Sequence, residues 1–252
     1  MNRRKTGDSA RTGILLVACA MVVGGCNLGF GGLFGPDGGT TGVDAIDHNF
    51  ATLSSEQVAE AAAVTIYLEH ASVGGNISSG LDDLETADSS YDRSNLVFFN
   101  RGNPGWQQKI DGFAANLNAS TPSPDDYDAV TMKYCYIDTG ADFAYYRDVM
   151  LDLENDFPDT IFVWWTMPLQ TSGSSARDAF NAAVRTYCEA NDKLLFDIAD
   201  IESHDPDGNA ITQGGYEAMW DDYSSDGGHL SVAGRQRVAR AFWHLAYEIS
   251  QR

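Results

Sequence analysis

Five short apolar runs, separated by amphipathic stretches, constrain this chain more than any other feature. Residues 64–69 (VTIYLE), 96–100 (LVFFN), 129–137 (AVTMKYCYI), 161–167 (IFVWWTM) and 194–198 (LLFDI) are rich in β-branched and aromatic side chains. Runs of that length and composition read as strands buried on both faces. Between and after them the apolar spacing changes to three and four. Residues 142–155 place Phe143, Tyr146, Val149, Met150 and Leu153 on one face and stop before Pro158, as a helix should. Residues 176–190 and 232–249 repeat the pattern through Phe180, Val184 and Tyr187, and through Val238, Phe242, Leu245 and Ile249. Buried strands alternating with amphipathic helices require a parallel sheet covered on both sides. Right-handed crossovers then leave a doubly wound α/β/α sandwich. The expectation is a three-layer α/β fold with a five-stranded parallel sheet in flavodoxin-like order 2-1-3-4-5. Ligands on such sheets bind beyond the carboxyl ends of the strands.

The N-terminus is built differently. Arg3, Arg4, Lys5 and Arg11 precede residues 13–25 (GILLVACAMVVGG), and Cys26 follows. Thirteen helical residues span about 20 Å, short of the roughly 30 Å hydrocarbon core, so the segment reads as a signal peptide. Val23-Gly24-Gly25-Cys26 resembles the lipobox of bacterial lipoproteins, in which the Cys is lipidated. Asn27 is not the Asp associated with inner-membrane retention. The expected location is therefore the outer membrane of a double-membraned cell envelope, with the membrane contacted through the lipid alone. Residues 27–44 (NLGFGGLFGPDGGTTGVD) are rich in Gly and read as a tether. The expected organisation is residues 1–25 as signal peptide, 26–47 as lipidated Cys and tether, and 48–252 as one domain.

Charge excludes one class of partner. The chain carries 16 Lys and Arg against 36 Asp and Glu, a net −20, and residues 26–252 alone stand at −23. Nucleic-acid binding needs a basic face, which this composition does not supply. With 43% hydrophobic and 21% charged residues the composition is that of a globular protein. Cys135 and Cys188 remain beyond the first 26 residues, as two buried thiols or one bridge. No clustered Cys/His spacing suggests a metal site. Asp205-Pro206-Asp207-Gly208-Asn209 looks like half a calcium loop, but the EF-hand spacing needs Glu where Tyr216 stands, so an Asx-rich turn is the reading. His204 and His244 carry no signal beyond a loop and a helix face.

Chemistry concentrates at the strand ends. The first run leads into His70-Ala71-Ser72-Val73-Gly74-Gly75-Asn76. A Ser on a strand-to-helix turn presents its hydroxyl near a helix N-terminus, whose free N–H groups stabilise an oxyanion. Ser is also a favoured N-cap residue, and both roles suit Ser72. The second run leads into Asn100-Arg101-Gly102-Asn103-Pro104-Gly105, where Gly allows close backbone approach to a substrate. Asp226-Gly227-Gly228-His229 precedes the last helix, and an Asp three residues before a His on a turn can orient the imidazole.

These blocks together resemble the SGNH, or GDSL-type, hydrolases over residues 64–252. The resemblance implies Ser72 as nucleophile, His229 as base and Asp226 as its orienter, in an ester hydrolase needing no cofactor and no metal. It also implies backbone N–H groups of Ser72 and Gly105 as oxyanion donors. Two departures stand out. His70-Ala71 replaces the Gly-Asp before the nucleophile. In the third block, Lys133-Tyr134-Cys135-Tyr136-Ile137-Asp138 stands for Gly-x-Asn-Asp, leaving Ile137 where the family has its oxyanion Asn. Tyr136 or another group then supplies the third donor, or the site is weaker. Losing one such donor typically costs about 10²–10³ in turnover. His70, Asn76, Asn103, Trp106 and Asp138 are the expected substrate contacts, with His70 also placed to pack or to hydrogen-bond behind the site. Trp220 is a further aromatic in a nearby loop. The expected partner is an ester substrate, with an O-acetylated carbohydrate preferred. The alternative is a glycan-binding lipoprotein that keeps the fold with little or no catalysis.

Overall fold

The computed structural model describes residues 45–252. The expected signal peptide, Cys26 and most of the tether lie outside the described residues. The elements are β1 (Ala45–Ile46), α1 (Ser55–Ala63), β2 (Ile66–His70), α2 (Val73–Ala87), β3 (Leu96–Asn100), α3 (Trp106–Asn118), β4 (Ala129–Met132), α4 (Phe143–Asp156), β5 (Ile161–Trp165), α5 (Ser175–Asn191), β6 (Leu195–Phe196), α6 (Ile198–Glu202), β7 (Thr212–Gln213), β8 (Tyr216–Glu217) and α7 (Val232–Ser250).

The main sheet runs β1-β6-β5-β4-β2-β3 and every pairing in it is parallel. Its last five strands follow the expected 2-1-3-4-5 order. The sixth corrects the strand count: Ala45 and Ile46 pair with Leu195 and Phe196, two residues ahead of the expected domain start at 48. Two residues carry no periodicity, so the sequence holds no signal for that strand.

Alternation along each strand builds two cores. Ile66, Leu68, Ala129, Val163, Trp165 and Phe196 face α1, α2 and α7, through side chains such as Ala61, Ile77, Leu81, Val238 and Phe242. Tyr67, Val130, Met132, Phe162, Trp164 and Leu195 face α3, α4 and α5. This is the three-layer sandwich that the period-two pattern of doubly buried strands dictates. Trp164 and Trp165 are core residues on opposite faces. Where α2 crosses α7, a Cβ at Gly80 would stand 2.3 Å from the Arg235 carbonyl, so only Gly permits that approach. Cys135 and Cys188 are both buried and free. Asp205 turns as an Asx residue, its carboxylate accepting the amides of Asp207 and Asn209. Among the described residues no helix is long and apolar enough to cross a membrane.

The parallel topology brings the carboxyl ends of β2, β3, β4 and β5 to one edge. The segment after β4 is shorter in strand and longer in turn than the apolar run 129–137 suggests. Past Met132 the Lys133 amide still reaches the Glu69 carbonyl at 3.3 Å, and the Arg101 guanidinium donates to the Glu69 and Lys133 carbonyls at 2.8 and 2.5 Å where the ladder ends. A buried cation thereby joins the ends of β2 and β4 directly behind the turn that carries Ser72.

Candidate active site

Ser72 sits two residues beyond β2 with φ 52° and ψ −112°. That is the first central position of a type II′ turn, where Gly is at home and a Ser is strained. The turn closes through Gly74 N–H to the Ala71 carbonyl (3.1 Å) and Gly75 N–H to the Ser72 carbonyl (2.7 Å). Ser72 occupies the N-cap position of α2, yet its side chain makes no capping bond. Its Oγ lies instead 2.7 Å from His229 Nε2. The choice between cap and nucleophile geometry is thus decided by a residue 157 positions away. Among the described residues no acceptor is paired with the Ser72 amide at the N-terminus of α2, which leaves it available as a donor.

His229 is positioned by its own turn. Asp226 Oδ1 accepts the amides of Gly228 (3.0 Å) and His229 (2.8 Å), and Oδ2 lies 2.7 Å from His229 Nδ1. Those backbone donors, with the imidazole, hold the Asp226 carboxyl down at about 2. It is therefore a carboxylate at neutral pH. An anion on Nδ1 places the proton there and leaves Nε2 free to take the proton of Ser72. The Ser224 hydroxyl accepts the Gly227 amide at 2.7 Å, and the Ser225 amide reaches the His229 carbonyl at 2.8 Å. The Asn76 side chain accepts the Leu230 amide at 3.2 Å, tying this turn to α2.

Tyr136 stands edge-on to the imidazole, ring centroids 5.6 Å apart at 83°. Its ring fills the space over Gly228, where a Cβ would come within 2.5 Å of it. Partial burial, with smaller contributions from Asp226 and Cys135, raises its phenol above the ordinary value, so it stays a donor. Arg177 pins both flanks, donating to the Tyr136 carbonyl (3.2 Å) and to the Ser172 carbonyl (2.5 Å). The site is open: the His229 and Asp226 side chains are 38% and 55% exposed. Ile137, on the same turn as Tyr136, is exposed.

The other expected contacts have different positions. Asp138 turns inward, ion-paired with buried Lys109 and accepting the Cys135 amide at 2.7 Å; it shapes the turn and does not face a substrate. His70 is buried under Gly74 and tilted against Phe98, so it packs behind the site. Asn76 is engaged by Leu230. Trp106 opens α3 with its ring edge against Tyr145, centroids 5.7 Å apart. Trp220 packs against Tyr223. Asn103 is exposed in its loop. Gly105 is the N-cap of α3, and its amide donates to Gln108 Oε1 at 3.1 Å. That amide serves an oxyanion only after Gln108 releases it. Arg101 and Arg177 are the site residues that sequence reasoning missed. Arg101 in its loop and Arg177 in the first turn of α5 carry no periodic signal of these roles, because the carbonyls they bind lie in distant segments.

Burial, and then the Lys133 and Arg101 cations, push the His70 imidazole down to about 4. Between pH 6.5 and 4 the unfolded chain takes up a proton that the folded chain refuses. Stability from this residue is present above about pH 6.5 and is lost as pH falls through that window. His70→Gln is expected to flatten the fall of the urea midpoint from pH 6.5 to 4. Identical slopes for the two proteins would refute this.

No protein-family model matches the sequence, and no curated protein matches it. Solved structures do. A proposed acylhydrolase from Bacteroides fragilis superposes with a TM-score of 0.51 at 12% identity, over 74% of this chain and 88% of that one. A proposed lipolytic protein of the G-D-S-L family from Desulfitobacterium hafniense gives 0.49 at 11% identity, over 72% and 99%. A proposed SGNH hydrolase from Slackia heliotrinireducens gives 0.48 at 14%, over 72% and 98%. At 12% identity the likeness to the Bacteroides fragilis structure shows a shared fold.

Proposed function

We propose that this chain is a divergent SGNH-type serine ester hydrolase. The reading is carried by the chain of contacts from Ser72 Oγ to His229 Nε2 and from His229 Nδ1 to Asp226 Oδ2, each at 2.7 Å. Ser72 Oγ attacks the ester carbonyl as His229 Nε2 takes its proton. The tetrahedral oxyanion is received by the Ser72 amide, with the Tyr136 hydroxyl as the candidate side-chain donor. Collapse expels the alcohol, which takes the proton from His229. Water, activated by the same imidazole, then releases the acid and restores Ser72. Asp226 stays ionised and stabilises the imidazolium. None of these steps calls for a cofactor.

The openness of the site supports a bulky alcohol bearing a short acyl group, with an O-acetylated carbohydrate as the preferred substrate class. A panel of acetylated sugars and p-nitrophenyl esters, run beside Ser72→Ala, tests the reading. A second reading rests on the Gly105 amide, held by Gln108, and on Ile137 at the oxyanion Asn position. It is a catalytically weak glycan-binding protein. It takes over if the wild type hydrolyses nothing in the panel yet binds a glycan.

The chain is anchored in the outer part of the cell envelope through a lipid on Cys26, supported by the basic start, the apolar segment and Val23–Cys26. Cys26→Ser is expected to lose lipid labelling and move to the soluble fraction. A wild type that takes up no label, and a variant that stays with membranes, would overturn the anchor.

A further inference from the structure

Far from Ser72 in sequence, two imidazoles and a carboxylate converge where the N-terminal end of the domain meets α6. His48 follows β1 directly. Asp200 lies on α6, and His204 follows one turn later. The His48 and His204 rings stack at 3.6 Å with planes 9° apart. Asp200 touches both rings. Its Oδ2 is hydrogen-bonded to His48 Nδ1 and, at 2.9 Å, to the His48 amide, while His204 Nδ1 lies 2.9 Å from the Asp200 backbone carbonyl and 3.5 Å from Oδ1. One ligand atom from each residue falls within 4.8 Å of the others. The three side chains are 22%, 20% and 14% exposed for His48, Asp200 and His204, reachable by an ion yet partly shielded from water.

We propose that His48, Asp200 and His204 bind one borderline divalent transition-metal ion of the Zn²⁺ class, clasping the start of the domain to α6. The donor set selects the ion. Two imidazole nitrogens and one carboxylate suit Zn²⁺, Ni²⁺ or Cu²⁺, whereas Ca²⁺ and Mg²⁺ require oxygen ligands. Tetrahedral coordination at about 2.0–2.2 Å sets neighbouring ligand atoms about 3.3–3.5 Å apart; His204 Nδ1 and Asp200 Oδ1 stand at that separation, whereas His48 Nδ1 and Asp200 Oδ2 move apart from their hydrogen bond to admit the ion. Imidazole lone pairs lie in the ring plane, so binding turns the two rings out of their stack as it displaces the protons between ring nitrogens and oxygens, and water completes the shell. The ion binds residues 152 positions apart in the chain, so it binds the folded state and not the unfolded one.

Zn²⁺ titration of the purified full-length protein against a competing chelator is the test. One equivalent is expected to bind, and Tm to rise by about 5–10 °C at a hundredfold excess over Kd. Equal Ca²⁺ is expected to leave Tm unchanged. His48→Ala and His204→Ala are expected to weaken binding at least about tenfold and to lose the Tm rise, while His229→Ala keeps both. Co²⁺ loading of the wild type needs no variant and is expected to give visible bands of a four-coordinate N/O site. The proposal falls if binding is not saturable, if Ca²⁺ shifts Tm equally, or if the Co²⁺ bands are absent. It falls equally if both cluster variants bind as the wild type does, or if His229→Ala alone removes the ion.

Discussion

Replacing Ser72 by Ala is expected to lower kcat for ester hydrolysis by about 10⁴-fold or more, the scale on which losing a triad nucleophile acts, while the protein stays folded. The two halves of this result have separate causes. Activity goes because Ser72 Oγ is the atom at 2.7 Å from His229 Nε2. Stability stays within about 0.5 kcal/mol because the side chain makes no capping bond and is not a core residue. Ser72→Gly extends the test. Gly adopts φ 52° without strain, so this variant is expected to be inactive and more stable by about 1 kcal/mol. His229→Ala is expected to be nearly as damaging as Ser72→Ala. Asp226→Ala is expected to be milder, since the orienter is less essential than the nucleophile or the base. Turnover assays and urea unfolding on the same preparations read both effects. Undiminished hydrolysis by Ser72→Ala would remove Ser72 from the mechanism.

Lys109→Met is expected to destabilise the protein by about 3–5 kcal/mol, the range found when one partner of a buried ion pair is removed. Lys109 is wholly buried and its ammonium meets Asp138 Oδ2, which also accepts the Cys135 amide. Without the cation a carboxylate is left in the interior with one backbone donor. Asp138→Asn leaves the ammonium unpaired and is expected to cost as much. The double variant Lys109→Met with Asp138→Asn is expected to recover part of the loss, because neither charge then remains buried alone. The turn these residues hold carries Tyr136, so turnover should fall along with stability. Single variants within 1 kcal/mol of wild type in urea unfolding would show that the pair does not support the turn.

Much of the molecule is legible in one dimension because its causes are local. The apolar runs at 64–69, 96–100 and 161–167 become β2, β3 and β5, and the three-to-four spacing of residues 142–155 becomes α4, one residue displaced at each end. Alternating burial requires no knowledge of the partner, only that both faces be covered. The Asp226–His229 turn is likewise local, since a carboxylate three residues before a His reaches both its amide and its ring. Even α1, which apolar periodicity leaves unassigned, has a local signature: Ser54 and Gln57 form a capping box.

Which way polar side chains point, and which distant segments meet, is settled in three dimensions. Ser72 fits a cap or a nucleophile equally until His229 arrives from 157 residues away. Asp138 reads as a substrate contact and His70 as a contact or a packing residue, and each lies against buried neighbours and faces inward. Gly105 reads as a free oxyanion donor until Gln108 takes its amide. The sixth strand is two residues long and exists because β6 offers an unpaired edge. His48 and His204, silent in sequence, are brought face to face on Asp200. Periodicity records which faces of an element avoid water, so the layers follow from the sequence alone. A hydrogen bond between residues far apart leaves no periodic trace, so the pairings that make the site belong to the folded chain.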